Sequence, residues 1–108
     1  MGFLANIAMD EGLADIVLKA DTGAAMSPVE DFRYYAFRSM QMRYWEDVHY
    51  QYRSGLFDDD EFAATRQTWV GNLSLSSVRE FWGENRNTYS PDFVAEVDEI
   101  LRDLAAND

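Results

Sequence analysis

Apolar positions along the chain recur at helical spacing from one end to the other. Phe3, Leu4, Ile7 and Ala8 form one stripe, and Leu13, Ile16, Val17 and Ala20 form a second. The two are out of phase at Asp10-Glu11-Gly12, where a break is expected. Phe62, Trp69, Val70 and Leu73 make a further stripe, as do Val94, Val97, Ile100, Leu101 and Leu104. No stretch alternates with period two and no Asn-Gly or Asp-Gly turn occurs, so strands are not expected. The pattern predicts an all-α fold with helices near residues 3–9, 11–20, 28–54, 59–72, 77–86 and 91–105. These five to six helices would form a single domain over residues 1–108 around one long central helix, about 28–54.

Start and stop signals sharpen those limits. Ser27-Pro28-Val29-Glu30 supplies an N-cap acceptor, a proline whose missing N–H is harmless in the first turn, and a glutamate that can reach back. Asp58 repeats the logic ahead of Asp59-Asp60-Glu61, with Phe57 and Phe62 spaced to staple across the cap. Ser77-Val78-Arg79-Glu80 reads as a third capping box, and Ser90-Pro91-Asp92 opens the last helix with Tyr89 and Val94 in staple positions. Thr22-Gly23 and Ser54-Gly55 read as stops, the glycines taking the left-handed position and Leu56 supplying the apolar contact after the second.

The segment 28–54 carries eight aromatics: Phe32, Tyr34, Tyr35, Phe37, Tyr44, Trp45, Tyr50 and Tyr52. On a helical projection Phe37, Tyr44 and Val48 fall on one side, flanked by Tyr34, Trp45 and Tyr52. Phe32, Tyr35, Met42, Glu46, His49, Tyr50 and Arg53 fall opposite. A helix apolar on more than one face must be covered on more than one face, and a second subunit is the simplest cover for the remainder. Self-association is therefore expected, with Tyr35, Met42, Glu46, His49, Tyr50 and Arg53 as candidate ligand or interface residues.

Composition narrows the function classes. The 108 residues include 9 Lys plus Arg against 20 Asp plus Glu, a formal net charge of −11. Such a balance offers no basic surplus to displace phosphate counterions, so nucleic acid is not an expected partner. Hydrophobic residues at 47% supply enough apolar surface for a folded core. Zero cysteines exclude a disulfide scaffold, a zinc finger and thiol catalysis. Met1-Gly2-Phe3-Leu4 lacks the positive flank and length of a signal peptide, and a cytoplasmic location is expected. The excess acid lies in peripheral elements, whereas the long helix balances Arg33, Arg38, Arg43 and Arg53 against Glu30, Asp31, Glu46 and Asp47.

Candidates for chemistry are few. His49 is the single histidine, and Glu46-x-x-His49 puts a carboxylate and an imidazole on one helix face, as di-iron carboxylate proteins do. One copy cannot build such a site; a symmetric dimer could, with Glu30, Glu61 or Glu80 as further ligands. The alternative is a partly buried polar network around Glu46 and His49, which is the preferred reading. The serines fall where caps are needed, and Asp58, Asp59 and Asp60 lack both the spacing of a calcium loop and an apolar setting for acid catalysis. A second alternative is that an acidic helical protein mimics a phosphate backbone and occupies a basic groove on another protein.

From Tyr44-Trp45-Glu46 through His49-Tyr50-Gln51-Tyr52-Arg53-Ser54-Gly55-Leu56, Phe81-Trp82 and Tyr89-Ser90-Pro91-Asp92-Phe93, the order of features resembles an uncharacterised family of small bacterial α-helical proteins. The resemblance covers about residues 10–101 and implies an all-helical domain behind an N-terminal membrane helix. It implies no activity and no catalytic residue, and membrane tethering only in a longer form. The expectation is a homodimeric interaction or small-ligand-binding module, without catalysis and without a cofactor. The alternatives are a metal-dependent redox protein using Glu46 and His49, and the acidic mimic.

Overall fold

Local signals set most of the helix limits. In the computed structural model, which describes residues 11–107, five α-helices and one 3₁₀ turn follow one another, with no strand among the described residues. They are α1 (Glu11–Thr22), α2 (Pro28–Arg53), α3 (Asp59–Leu73), α4 (Ser76–Asn85), the turn Arg86–Thr88, and α5 (Pro91–Ala106). The helix expected over residues 3–9 lies outside the described residues.

The Ser27 capping box forms in full: the Glu30 amide donates to Ser27 Oγ at 3.2 Å, and the Ser27 amide donates to Glu30 Oε1 at 3.0 Å. Asp58 caps α3 by accepting from the amides of Asp60 and Glu61. Phe57 meets Phe62 edge to face, with ring centroids 6.5 Å apart. At the end of α2, Gly55 adopts φ +79°, which lets the Leu56 amide reach back to the Gln51 carbonyl at 2.9 Å. Leu56 itself stays exposed, so the expected apolar contact is not buried there.

Two start signals behave otherwise. α4 begins at Ser76 with Leu75 at its N-cap and no side-chain bond, so Ser77 does not cap it. Only Ser74 and Leu75 link α3 to α4, and Ser74 Oγ donates back to the Gly71 carbonyl at 2.6 Å. So short a link leaves the turn to the extended backbone of Leu75, whose carbonyl accepts from Val78 and Arg79. Ser90 is the N-cap of α5, but its hydroxyl makes no cap bond.

Internal contacts divide the chain into two units, Met1–Gln41 and Met42–Asp108, with the boundary inside α2. In the first unit, Ile16 of α1 and Phe37 of α2 are buried, and so are Arg38 and Gln41. Lys19 Nζ donates to Glu30 Oε2 at 2.6 Å, tying α1 to the start of α2.

The second unit has an aromatic core. Met42, Trp45 and Val48 of α2 meet Phe62, Trp69 and Leu73 of α3, Val78, Phe81 and Trp82 of α4, Tyr89, and Phe93, Val97 and Ile100 of α5. Trp45 stacks on Trp69 at 5.4 Å, and Tyr52 stacks on Phe62 at 4.0 Å. The two-sided projection of the long helix is corrected here. Val48, Tyr52, Trp45, His49 and Met42 occupy one inward arc of about 120° at about 100° per residue, while Tyr44 and Tyr50 point to solvent. Partners on α3 and α5 widen the covered arc, so the boundary between faces falls beside Met42 and Tyr44 rather than through the aromatic stripe.

Candidate functional site

Three of the six candidate residues are linked: Arg53 bonds His49, and Tyr50 lies against Arg53. His49 is only 4% exposed, among Phe62 at 5.9 Å, Phe93 at 6.0 Å and Trp69 at 6.5 Å between ring centroids. One turn on, Arg53 Nε donates to His49 Nδ1 at 3.2 Å. With Nδ1 an acceptor, the ring proton of the neutral imidazole sits on Nε2, which lies 3.4 Å from Glu96 Oε1 of α5. Glu96 Oε2 in turn accepts from Arg66 Nε of α3 at 2.6 Å. Arg53 Nη1 donates to Asp92 Oδ2 at 2.9 Å, and its guanidinium lies 5.6 Å from the exposed Tyr50 ring. Burial pushes the imidazole below its ordinary pKa; the Glu96 carboxylate opposes that shift and the Arg53 charge adds to it.

Glu46 is engaged elsewhere. Its Oε1 accepts from Arg43 Nη1 at 3.1 Å and its Oε2 from the Ser90 amide at 2.7 Å. Arg43 also donates to the Thr88 carbonyl at 3.0 Å and lies 4.2 Å from the Tyr89 ring centre. Glu46 thus answers the backbone amide of the N-cap residue Ser90, the part an N3 glutamate plays in a capping box and Phe93 cannot. The i, i+3 spacing puts Glu46 and His49 on neighbouring positions, yet each turns its polar atoms to different partners.

The remaining candidates are separate. Met42 is fully buried in the core of the second unit, and Tyr35 is half exposed on α2 in the first. Of the further ligands considered for a metal, Glu30 is committed to Ser27 and Lys19, and Glu61 and Glu80 are exposed on α3 and α4. Among the described residues no three His, Asp or Glu side chains are grouped as a metal ion requires. An open surface hollow of about 640 Å³ is lined by Tyr52, Gly55, Leu56, Phe57, Asp58 and Asp59. There the Asp59 carboxylate, bonded to the Tyr52 hydroxyl, raises the phenol above its ordinary value.

Sequence reasoning missed Asp92, Glu96 and Arg66. The acids of the last helix read as a solvated face, but Asp92 and Glu96 are four residues apart and flank the core residue Phe93, a spacing that aims both at one neighbour. The chain matches no family model, and no curated protein and no solved structure is significantly similar to it. Among the described residues no helix is long and apolar enough to cross a membrane.

Proposed function

We propose that the chain is a non-catalytic helical interaction module that pairs with a second copy of itself through an apolar strip at the start of α2. One observation carries the reading: Val29 is 69% exposed, Phe32 71% and Met40 60%, all within the first unit. At about 100° per residue they share a strip about 80° wide, with the half-exposed Tyr35 about 60° beyond Phe32. A two-fold axis across such a strip sets the same apolar residues against themselves, the commonest form of oligomer contact. Charge favours the same surface. Each chain carries −11, but α2 balances four arginines against four acids, so two copies meet with least repulsion along it.

The non-catalytic part of the reading rests on His49. It is the chain's one histidine, it is buried, and both ring nitrogens have protein partners.

Light scattering across about a hundredfold range of concentration tests the pairing. The wild type should reach twice the chain mass, and the double variant Phe32→Glu, Met40→Glu should stay at one chain mass with unchanged far-UV circular dichroism. Both positions are exposed, so the substitutions leave the fold intact. A wild type that remains monomeric throughout would overturn the proposal.

A further inference from the structure

We infer that His49 is an acid-responsive latch, holding α2, α3 and α5 of the second unit together while its ring is neutral and releasing Arg53 when the ring takes a second proton. The geometry leaves little choice. On α2, Arg53 faces Nδ1 as a donor, Glu46 is bound to Arg43, and Tyr52 turns its hydroxyl to Asp59 at the start of α3. On α3, Arg66 faces Glu96; on α5, Glu96 faces Nε2 and Asp92 holds Arg53. Two cations and two carboxylates thus surround the imidazole and cancel, and a proton on Nδ1 would leave one uncompensated charge inside an aromatic cage.

That proton would also set N–H against N–H. Nδ1 can no longer accept from Arg53, and two cations would stand at hydrogen-bond distance. Glu96 cannot compensate in full because its other oxygen already serves Arg66. Arg53 has a way out, its side chain being about one-third exposed, and in leaving it lets go of Asp92 in the first turn of α5. The direction follows by linkage. The folded imidazole titrates below its ordinary value of 6.5, so the unfolded chain binds the proton first. Stability is full above 6.5 and falls as pH drops through 6.5 towards the folded value.

Because the chain has a single histidine, its ring resonances are assigned without mutagenesis. Ring nitrogen shifts at about pH 7.5 should report the proton on Nε2, and the titration midpoint should lie below that of the urea-unfolded chain. Arg53→Met should move the midpoint up and Glu96→Gln should move it down. The wild-type urea midpoint should fall between about pH 7.5 and about pH 5.5, with the fall shallower in Arg53→Met and absent in His49→Gln. Should His49→Gln fail to fold, the Arg53→Met comparison decides alone. A proton on Nδ1, a midpoint indifferent to Arg53→Met, or a flat wild-type profile would each overturn the latch.

Discussion

Arg38 is the clearest case of a single residue setting local structure. It is 2% exposed in the first unit, yet it carries a permanent charge. Its Nε donates to the Tyr34 hydroxyl at 2.9 Å and its Nη1 to Gln41 Oε1 at 3.0 Å, while Nη2 lies 3.5 Å from Asp21 Oδ1 of α1. The guanidinium also lies 4.9 Å from the Phe37 ring centre and 5.1 Å from that of Tyr34. A buried cation is tolerated only where donors and charge are answered, and here the answer comes from both helices. Arg38→Ala should cost about 2–3 kcal/mol in urea unfolding, from the lost hydrogen bonds and the lost ion pair to Asp21. Arg38→Met should cost less, since the aliphatic stem that fills the site is kept. Equal losses for the two variants would mean that the polar bonds, which both variants lose, outweigh the packing of the stem.

Among the elements, α5 shows where short-range signals stop working. Ser90 has the right residue type, the extended backbone (φ −66°, ψ 147°) and a proline after it, yet its buried hydroxyl has no hydrogen-bond partner. The Ser90 amide, which a glutamate at N3 would answer in a capping box, is answered through space by Glu46, 44 positions earlier. Ser90→Ala should therefore change stability by less than about 0.5 kcal/mol, because no bond is lost. Glu46→Ala should cost about 1–2 kcal/mol and speed hydrogen exchange at the Ser90 amide. The reverse order in urea unfolding would show that the Ser90 hydroxyl contributes more to the start of α5 than the Glu46 bond does. Asp58 is the contrast: its side chain serves amides two and three residues on, and such a cap is readable in the sequence because both partners lie within one turn.

For the whole molecule, net charge separates the readings of function. Two chains at −11 repel, so self-association should tighten as salt rises from about 0.02 to about 0.2 M and the screening length falls from about 20 Å to about 7 Å. Sedimentation equilibrium gives the dimer dissociation constant directly. An acidic chain held in a basic groove should behave oppositely, its binding weakening with salt. Much of the charge has a structural use. Asp58 to Glu61 lie at the positive end of α3. Asp98 accepts from Trp82 Nε1 at 3.1 Å and from Arg86; burial pushes its carboxyl up, but these bonds outweigh that and hold it below the usual carboxylate range.

The all-α class, the glycine stops at 23 and 55, the caps at Ser27 and Asp58, and the inward stripes of α3 and α5 were all determined by the sequence alone. Each depends on neighbours three or four residues apart, and helical spacing makes such neighbours visible in a linear chain. Tertiary structure alone decided which way Met42, His49 and Tyr44 face, that Leu75 rather than Ser77 opens α4, and that Glu46 answers the Ser90 amide at the start of α5. It also decided that His49 answers to Arg53, Glu96 and, through Glu96, Arg66. Those outcomes depend on which helix arrives from far along the chain to cover a given side, and no local period encodes that arrival.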